Sequence, residues 1–168
     1  MVENEKEPAA LRILRDAGIS VRRLDYRYTE GGGTGDAARQ LGIDEHAVVK
    51  SLVFDNGQEG EERRAVMALM HGDTRVSLRK LERLSGIRRL YPSSPAAARE
   101  LTGYLPGGIC PFGLISPVPV FLQETLLQMP QLFVNAGRRG VIAVVSPRVF
   151  DLVSPIVGNF ASTGTHRV

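Results

Sequence analysis

Apolar residues recur along this chain at two spacings, and the change from one to the other predicts its elements. Over 8–17, Ala10, Leu11 and Leu14 share one helical face and the run stops at Gly18, the signature of a helix closed by glycine. A strand is expected over 21–28. The glycine-rich Thr29-Glu30-Gly31-Gly32-Gly33-Thr34-Gly35 then reads as a flexible loop, and 36–41 as a short helix ended by Gly42. Two apolar runs, 47–54 and 63–70, flank a polar loop and predict an antiparallel pair. Ser77 and Ser94 stand as caps before helices over 78–84 and 95–101, the second with Pro95 at its first position. Leu78, Leu81 and Leu84 line one face of the first. Further short strands are expected over 87–91, 118–122, 132–135 and 141–145, with a turn of helix near Leu126. Ser146-Pro147 repeats the cap-and-proline signal and opens a last helix to about Val153. Without a regular strand-helix-strand repeat, this order implies an α+β fold with a mixed, mostly antiparallel sheet.

The 168 residues suit one domain, expected over 8–160, with 1–7 and 161–168 as flexible ends. No apolar run approaches the roughly 18 to 20 residues of a membrane span, and the polar start does not read as a signal peptide. Cytoplasm is the expected compartment. One cysteine, Cys110, and three scattered histidines (His46, His71, His166) offer no metal-ligand spacing, so neither metal nor cofactor is expected. The net charge is +3 and the pI about 9.3, which permits a polyanionic partner without requiring one.

Within the 47–54 run, Val48, Lys50, Leu52 and Phe54 share a strand face. An ammonium there is costly unless a ligand phosphate or carbonyl offsets it; the plainer reading is an edge lysine reaching water. Thr102-Gly103-Tyr104-Leu105-Pro106-Gly107-Gly108-Ile109-Cys110-Pro111-Phe112-Gly113 is a rigid, bare backbone, either an anion or oxyanion site or a structural turn. Cys110 in this loop offers a nucleophile, but no histidine stands near it in sequence and the preferred reading is an inert apolar residue. Arg75, Arg79, Lys80, Arg83, Arg88 and Arg89 form a basic cluster, either a solvated face or a contact for an RNA backbone; Arg138 and Arg139 offer the same choice in a turn between strands.

Lys50-Ser51 inside an apolar strand, then Thr-Gly-Tyr-x-x-Gly-Gly-x-x-Pro-x-Gly over 102–113, then Gly137-Arg138-Arg139-Gly140, together resemble the YbaK/ProX family. These are free-standing relatives of the editing domain of bacterial prolyl-tRNA synthetases. The resemblance spans roughly 8–160. It implies a mixed sheet, partly barrel-like and flanked by short helices, and metal-free hydrolysis of the ester on a mischarged tRNA. It implies that Lys50 holds the substrate end while the amides of Gly107 and Gly108 contact the aminoacyl carbonyl. Tyr26, Ser51, Gly103, Tyr104, Ile109 and Gly137 would surround the substrate, and Arg79, Lys80, Arg83, Arg138 and Arg139 the tRNA backbone. Ser51 after the lysine is closer to the branches that include Cys-tRNA(Pro) deacylases than to the alanine-specific Lys-Asn branch. Expected partners are aminoacyl-tRNA, foremost tRNA(Pro), and prolyl-tRNA synthetase. The alternative is a module of the same fold that binds tRNA or a synthetase without hydrolysis.

Overall fold

The structure, a computed structural model, describes residues 6–163. Helix α1 (Ala9–Asp16) leads into β1 (Arg22–Asp25), α2 (Gly33–Leu41), β2 (Val48–Asp55) and β3 (Ala65–His71). Helix α3 (Leu78–Ser85), the two-residue β4 (Tyr91–Pro92) and α4 (Pro95–Thr102) follow, then β5 (Val120–Gln123), β6 (Leu132–Asn135), β7 (Val141–Val145) and β8 (Ile156–Gly158). The strands form one sheet in the order β1-β7-β6-β2-β3-β5-β8, with β4 added to β2. The pairs β1–β7, β6–β7, β2–β3 and β2–β4 are antiparallel; β2–β6, β3–β5 and β5–β8 are parallel. This is the mixed, mostly antiparallel α+β sheet expected.

Alternation along the strands sends side chains to two apolar layers. Val49, Val53, Met67, Leu69, Val134 and Ala143 pack with Leu11 and Leu14 of α1 and Ala98 of α4. On the other face, Phe54, Ala68, Met70 and Phe121 lie under Leu81 of α3, while Val48, Phe133 and Ile142 lie under Ala37 and Ala38 of α2. Lys50, in register with Met70, belongs to this second face, between the two clusters.

The expected caps form: the hydroxyls of Ser77 and Ser94 accept from the N–H groups of Lys80 and Ala97. Other boundaries shift because side chains intercept the backbone. Strand β1 ends at Asp25 rather than at 28: Tyr26 N–H still donates to the Gly140 carbonyl in line with the β1–β7 register, but Gln40 then grips both backbone groups of Arg27, at 3.0 and 2.9 Å. The expected strand 87–91 shrinks to β4 because Leu90 N–H donates to the Glu82 carboxylate (2.9 Å) and Ile87 N–H to the Ser85 hydroxyl (3.2 Å). Helix α2 starts inside the glycine run at Gly33, three residues before the expected Asp36. The segment after Ser146-Pro147 is a 3₁₀ helix, Pro147–Val153. Of the ends expected to be flexible, 1–5 and 164–168 lie outside the described residues; within them, Ala161 bridges Val76 and Ser162 N–H donates to Arg75 (2.8 Å). No described helix is long and apolar enough to cross a membrane.

Candidate active site

The parallel pairing of β2 with β6 is only two residues long, Val48 with Phe133 and Val49 with Val134. Beyond it the strands part, and a cleft of about 430 Å³ opens at Lys50, Ser51 and Asn135. Tyr26 and Tyr28, two residues apart on the segment leaving β1, contribute one wall, and Thr34 and Asp36 at the start of α2 another. Pro106, Gly107 and Ile109 of the glycine loop close the far side. Lys50 and Gly107 therefore face a common space, although 57 positions separate them in sequence.

Lys50 is partly buried, and desolvation pulls its pKa below the ordinary lysine range. The carboxylates of Glu45 and Asp73 oppose that shift and Arg75 adds to it. No hydrogen bond or ion pair among the described residues holds its ammonium. Next to it, the Ser51 hydroxyl is buried in the wall without a partner among the described residues. Two adjacent polar groups are thus left for a ligand to satisfy. Burial likewise raises the Tyr26 phenol.

The glycine loop is built by its own side chains. Thr102 Oγ1 donates to Ala98 (2.7 Å) and accepts from Tyr104 N–H (3.1 Å), and the buried Tyr104 hydroxyl donates to the Phe112 carbonyl. Asn135 Nδ2 donates to the Ile109 carbonyl at 3.3 Å. Leu105-Pro106-Gly107-Gly108 is a tight turn in which Gly108 N–H donates to Leu105 C=O (2.9 Å) and Gly107 takes φ +90°. A proline followed by a glycine of positive φ is the type II arrangement. The amide of Gly108 is thus used inside the turn, and Gly108 is not among the cleft-lining residues. Its role is to let the loop approach the Arg138-Arg139 backbone, where a Cβ would come within 3.0 Å. Gly107, by contrast, borders the cleft, and no backbone acceptor among the described residues takes its N–H.

Of the other residues expected around a substrate, Tyr26, Ser51 and Ile109 line the cleft. Gly103, Tyr104 and Gly137 do not. Gly103 ends α4, and Gly137 leaves room for the Tyr104 ring, which a Cβ would meet at 2.7 Å. The residues expected on the tRNA also divide. Arg79 and Arg83 are exposed on α3, but the Lys80 ammonium donates to the Ala161 carbonyl at 2.8 Å and is partly buried. Arg138 reaches the Lys6 carbonyl, and Arg139 is engaged with the glycine loop. Cys110 is fully buried and its thiol is pushed up to about 11 by that burial, which fits an inert residue.

Tyr28 and a histidine pair were not anticipated. Tyr28 touches Gly107, and its two-residue offset from Tyr26 was the signal that both face one way. The rings of His46 and His71 stack 3.8 Å apart. His46 Nδ1 bonds Asp73 at 2.8 Å; His71 donates to the His46 carbonyl (2.6 Å) and accepts from Thr125 (2.6 Å). Thr34 Oγ1, held by Glu45 (2.8 Å) and Gly72 (3.2 Å), ties α2 to the same corner. Twenty-five residues separate the two histidines, so no local pattern could announce the pair. No three or more His, Cys, Asp or Glu among the described residues are grouped to hold a metal ion.

Comparison with known proteins places this architecture among relatives. A sequence model described as an aminoacyl-tRNA editing domain matches residues 31–152. The chain is 25% identical over 164 residues to EbsC of Enterococcus faecalis, named as a candidate Cys-tRNA(Pro)/Cys-tRNA(Cys) deacylase, covering 97% of this chain and 96% of that one. It is 31% identical over 118 residues to the proline–tRNA ligase of Limosilactobacillus fermentum, covering 70% of this chain but only 21% of the ligase. Among solved structures, a candidate trans-editing enzyme for prolyl-tRNA synthetase superposes with a TM-score of 0.77 at 28% identity, covering 92% of this chain and 98% of that one.

Proposed function

The chain belongs to the aminoacyl-tRNA editing domain family, and from that premise we propose that it is a deacylase that hydrolyses the ester of a mischarged tRNA. The first candidate substrate is tRNA(Pro) carrying cysteine or another small amino acid, a reading supported by the names of the relatives and by Ser51 after Lys50. The observation that carries it is the cleft itself: Lys50, whose ammonium has no partner among the described residues, and Gly107, whose N–H no backbone acceptor among them takes, line one space of about 430 Å³. That is within the size range of small-molecule sites and suits a terminal nucleoside bearing a short side chain.

An aminoacyl ester needs little activation, so positioning and charge stabilisation suffice. Lys50 holds the anionic or carbonyl-bearing end of the RNA terminus, and its lack of an internal partner is relieved on binding. Gly107 N–H donates to the ester carbonyl oxygen as water attacks and negative charge grows there. Collapse of the tetrahedral intermediate breaks the bond to the ribose oxygen, which takes up a proton and leaves as the hydroxyl. The cleft lining holds no histidine. The proton from the attacking water then passes through the substrate's own neighbouring ribose hydroxyl or, for cysteine, its thiol.

The test is release of labelled amino acid from tRNA(Pro) charged in turn with Cys, Ala, Ser and Pro. Turnover of one mischarged form, lost in Lys50→Ala, supports the reading. Binding of every form without release indicates a non-catalytic module, and unchanged release in Lys50→Ala removes Lys50 from the site.

A further inference from the structure

We propose that Arg139 is a positioning residue that fixes the Pro106–Gly107 peptide so that Gly107, and not Gly108, presents the loop's reactive amide. The inference rests on the deacylase reading and deepens it. Arg139 sits in the turn between β6 and β7, where Ala136 N–H donates to Val141 (3.1 Å) and Val141 N–H to Arg138 (3.3 Å). From that anchored position its Nε donates to the Pro106 carbonyl at 2.7 Å, and its guanidinium lies 4.8 Å from the centre of the Tyr28 ring. Tyr28 in turn abuts Gly107.

The central peptide of such a turn is its least constrained part, because the closing bond from Gly108 to Leu105 survives when that peptide flips between the type I and type II forms. A flip reverses both groups of the planar unit, since its C=O and N–H point in opposite directions. Arg139 grips the carbonyl, so the N–H of Gly107 is turned away from the arginine and into the cleft. A guanidinium suits this task because its fork can donate to a carbonyl while its plane rests on an aromatic face. The sequence leaves Arg139 open to a tRNA phosphate or to solvent; the structure gives its guanidinium two partners within the protein.

Positioning and phosphate contact differ in kinetics. With the aminoacyl-tRNA deacylated in the panel above, Arg139→Gln is expected to lower kcat by about 10- to 100-fold with KM within about threefold of the parent. Arg139→Lys, which retains a donor for the Pro106 carbonyl, is expected to recover part of kcat. The salt dependence of KM should not change. A raised KM with unchanged kcat, and a shallower salt dependence, would overturn the proposal in favour of a phosphate contact. A second measurement is independent of turnover: ¹H–¹⁵N spectra of the full chain without RNA. Arg139→Gln should shift or broaden the Gly107 amide while leaving strands β2 and β3 unmoved. An unshifted Gly107 amide refutes the inference even if the protein deacylates no tRNA, whereas a shifted amide in a protein inactive on every substrate refutes only the deacylase reading.

Discussion

Replacing Gly107 by alanine tests the geometry of the loop directly. The new Cβ would stand 2.5 Å from Cε2 of Tyr28 and 2.9 Å from its Cζ and hydroxyl oxygen, whereas carbon atoms in contact sit about 3.5–4.0 Å apart. The ring must therefore retreat by about 1 Å, which weakens its contact with the Arg139 guanidinium, a contact of roughly 0.5–1 kcal/mol at an exposed site. The φ of +90° adds about 1–2 kcal/mol for any residue with a Cβ. Together these predict a loss of about 1.5–3 kcal/mol, and with roughly 2–4 °C per kcal/mol for a domain of this size, a fall in Tm of about 3–12 °C. Thermal melts give the first number. Deacylation at 25 °C, where the variant is still folded, should drop about 100-fold because a 1 Å displacement of a group at the reacting carbonyl is enough. In a Tyr28→Ala background, where no ring is left to displace, Gly107→Ala should cost only the backbone part. A Gly107→Ala protein with parental Tm and rate would refute the reasoning, since it would mean that the loop has slack and the amide no fixed direction.

Three further outcomes follow from the electrostatics. Lys50→Met should lower deacylation by at least about 100-fold without lowering Tm. The lowered pKa means that the folded state carries the ammonium at a cost below its folded pKa and sheds that cost as pH rises through it, so the gap in Tm between variant and parent should narrow in alkaline buffer; a clear fall in Tm at pH 7 would contradict a desolvated, unpartnered lysine. His71, whose pKa is lowered mainly by burial, contributes stability above the ordinary histidine value of about 6.5 that is lost as pH falls through its folded pKa. Tm should therefore drop between pH 6.5 and 5, with a flatter profile in His71→Gln; parallel profiles would rule out His71 as the source. With its thiol pushed up to about 11, Cys110 has a thiolate fraction at pH 8 roughly a hundredfold below that of an ordinary thiol. Alkylation by iodoacetamide should need unfolding and Cys110→Ser should leave kcat near the parental value; loss of turnover in that variant would restore a nucleophilic role.

Signals carried by neighbours in sequence were legible before any coordinates. The serine caps before α3 and α4 and the glycine ends of helices arise from contacts within a few residues, and the β2–β3 pair from two apolar runs joined by one polar loop, so a linear pattern encodes them. Lys50 stood out for the same reason, as a charge among apolar neighbours. Where a side chain distant in sequence captures a backbone group, the pattern misleads. Gln40 ends β1 early, and Glu82 removes most of the strand expected over 87–91. Strand β8, three residues long with Ile156 and Val157 exposed, offers too little alternation to be recognised.

The sequence by itself determined the fold class, the caps, the strand bearing Lys50 and the family resemblance, because each rests on residue types at short, regular spacings. Only the tertiary structure decided which polar groups meet. The end of the β2–β6 pairing opens the cleft, the turn at 105–108 consumes one glycine amide and leaves the other, and Arg139, though exposed, bends back to a carbonyl of the glycine loop. Each of these depends on the direction of a single peptide or side chain across a sheet, and direction across space is set by packing rather than by order along the chain.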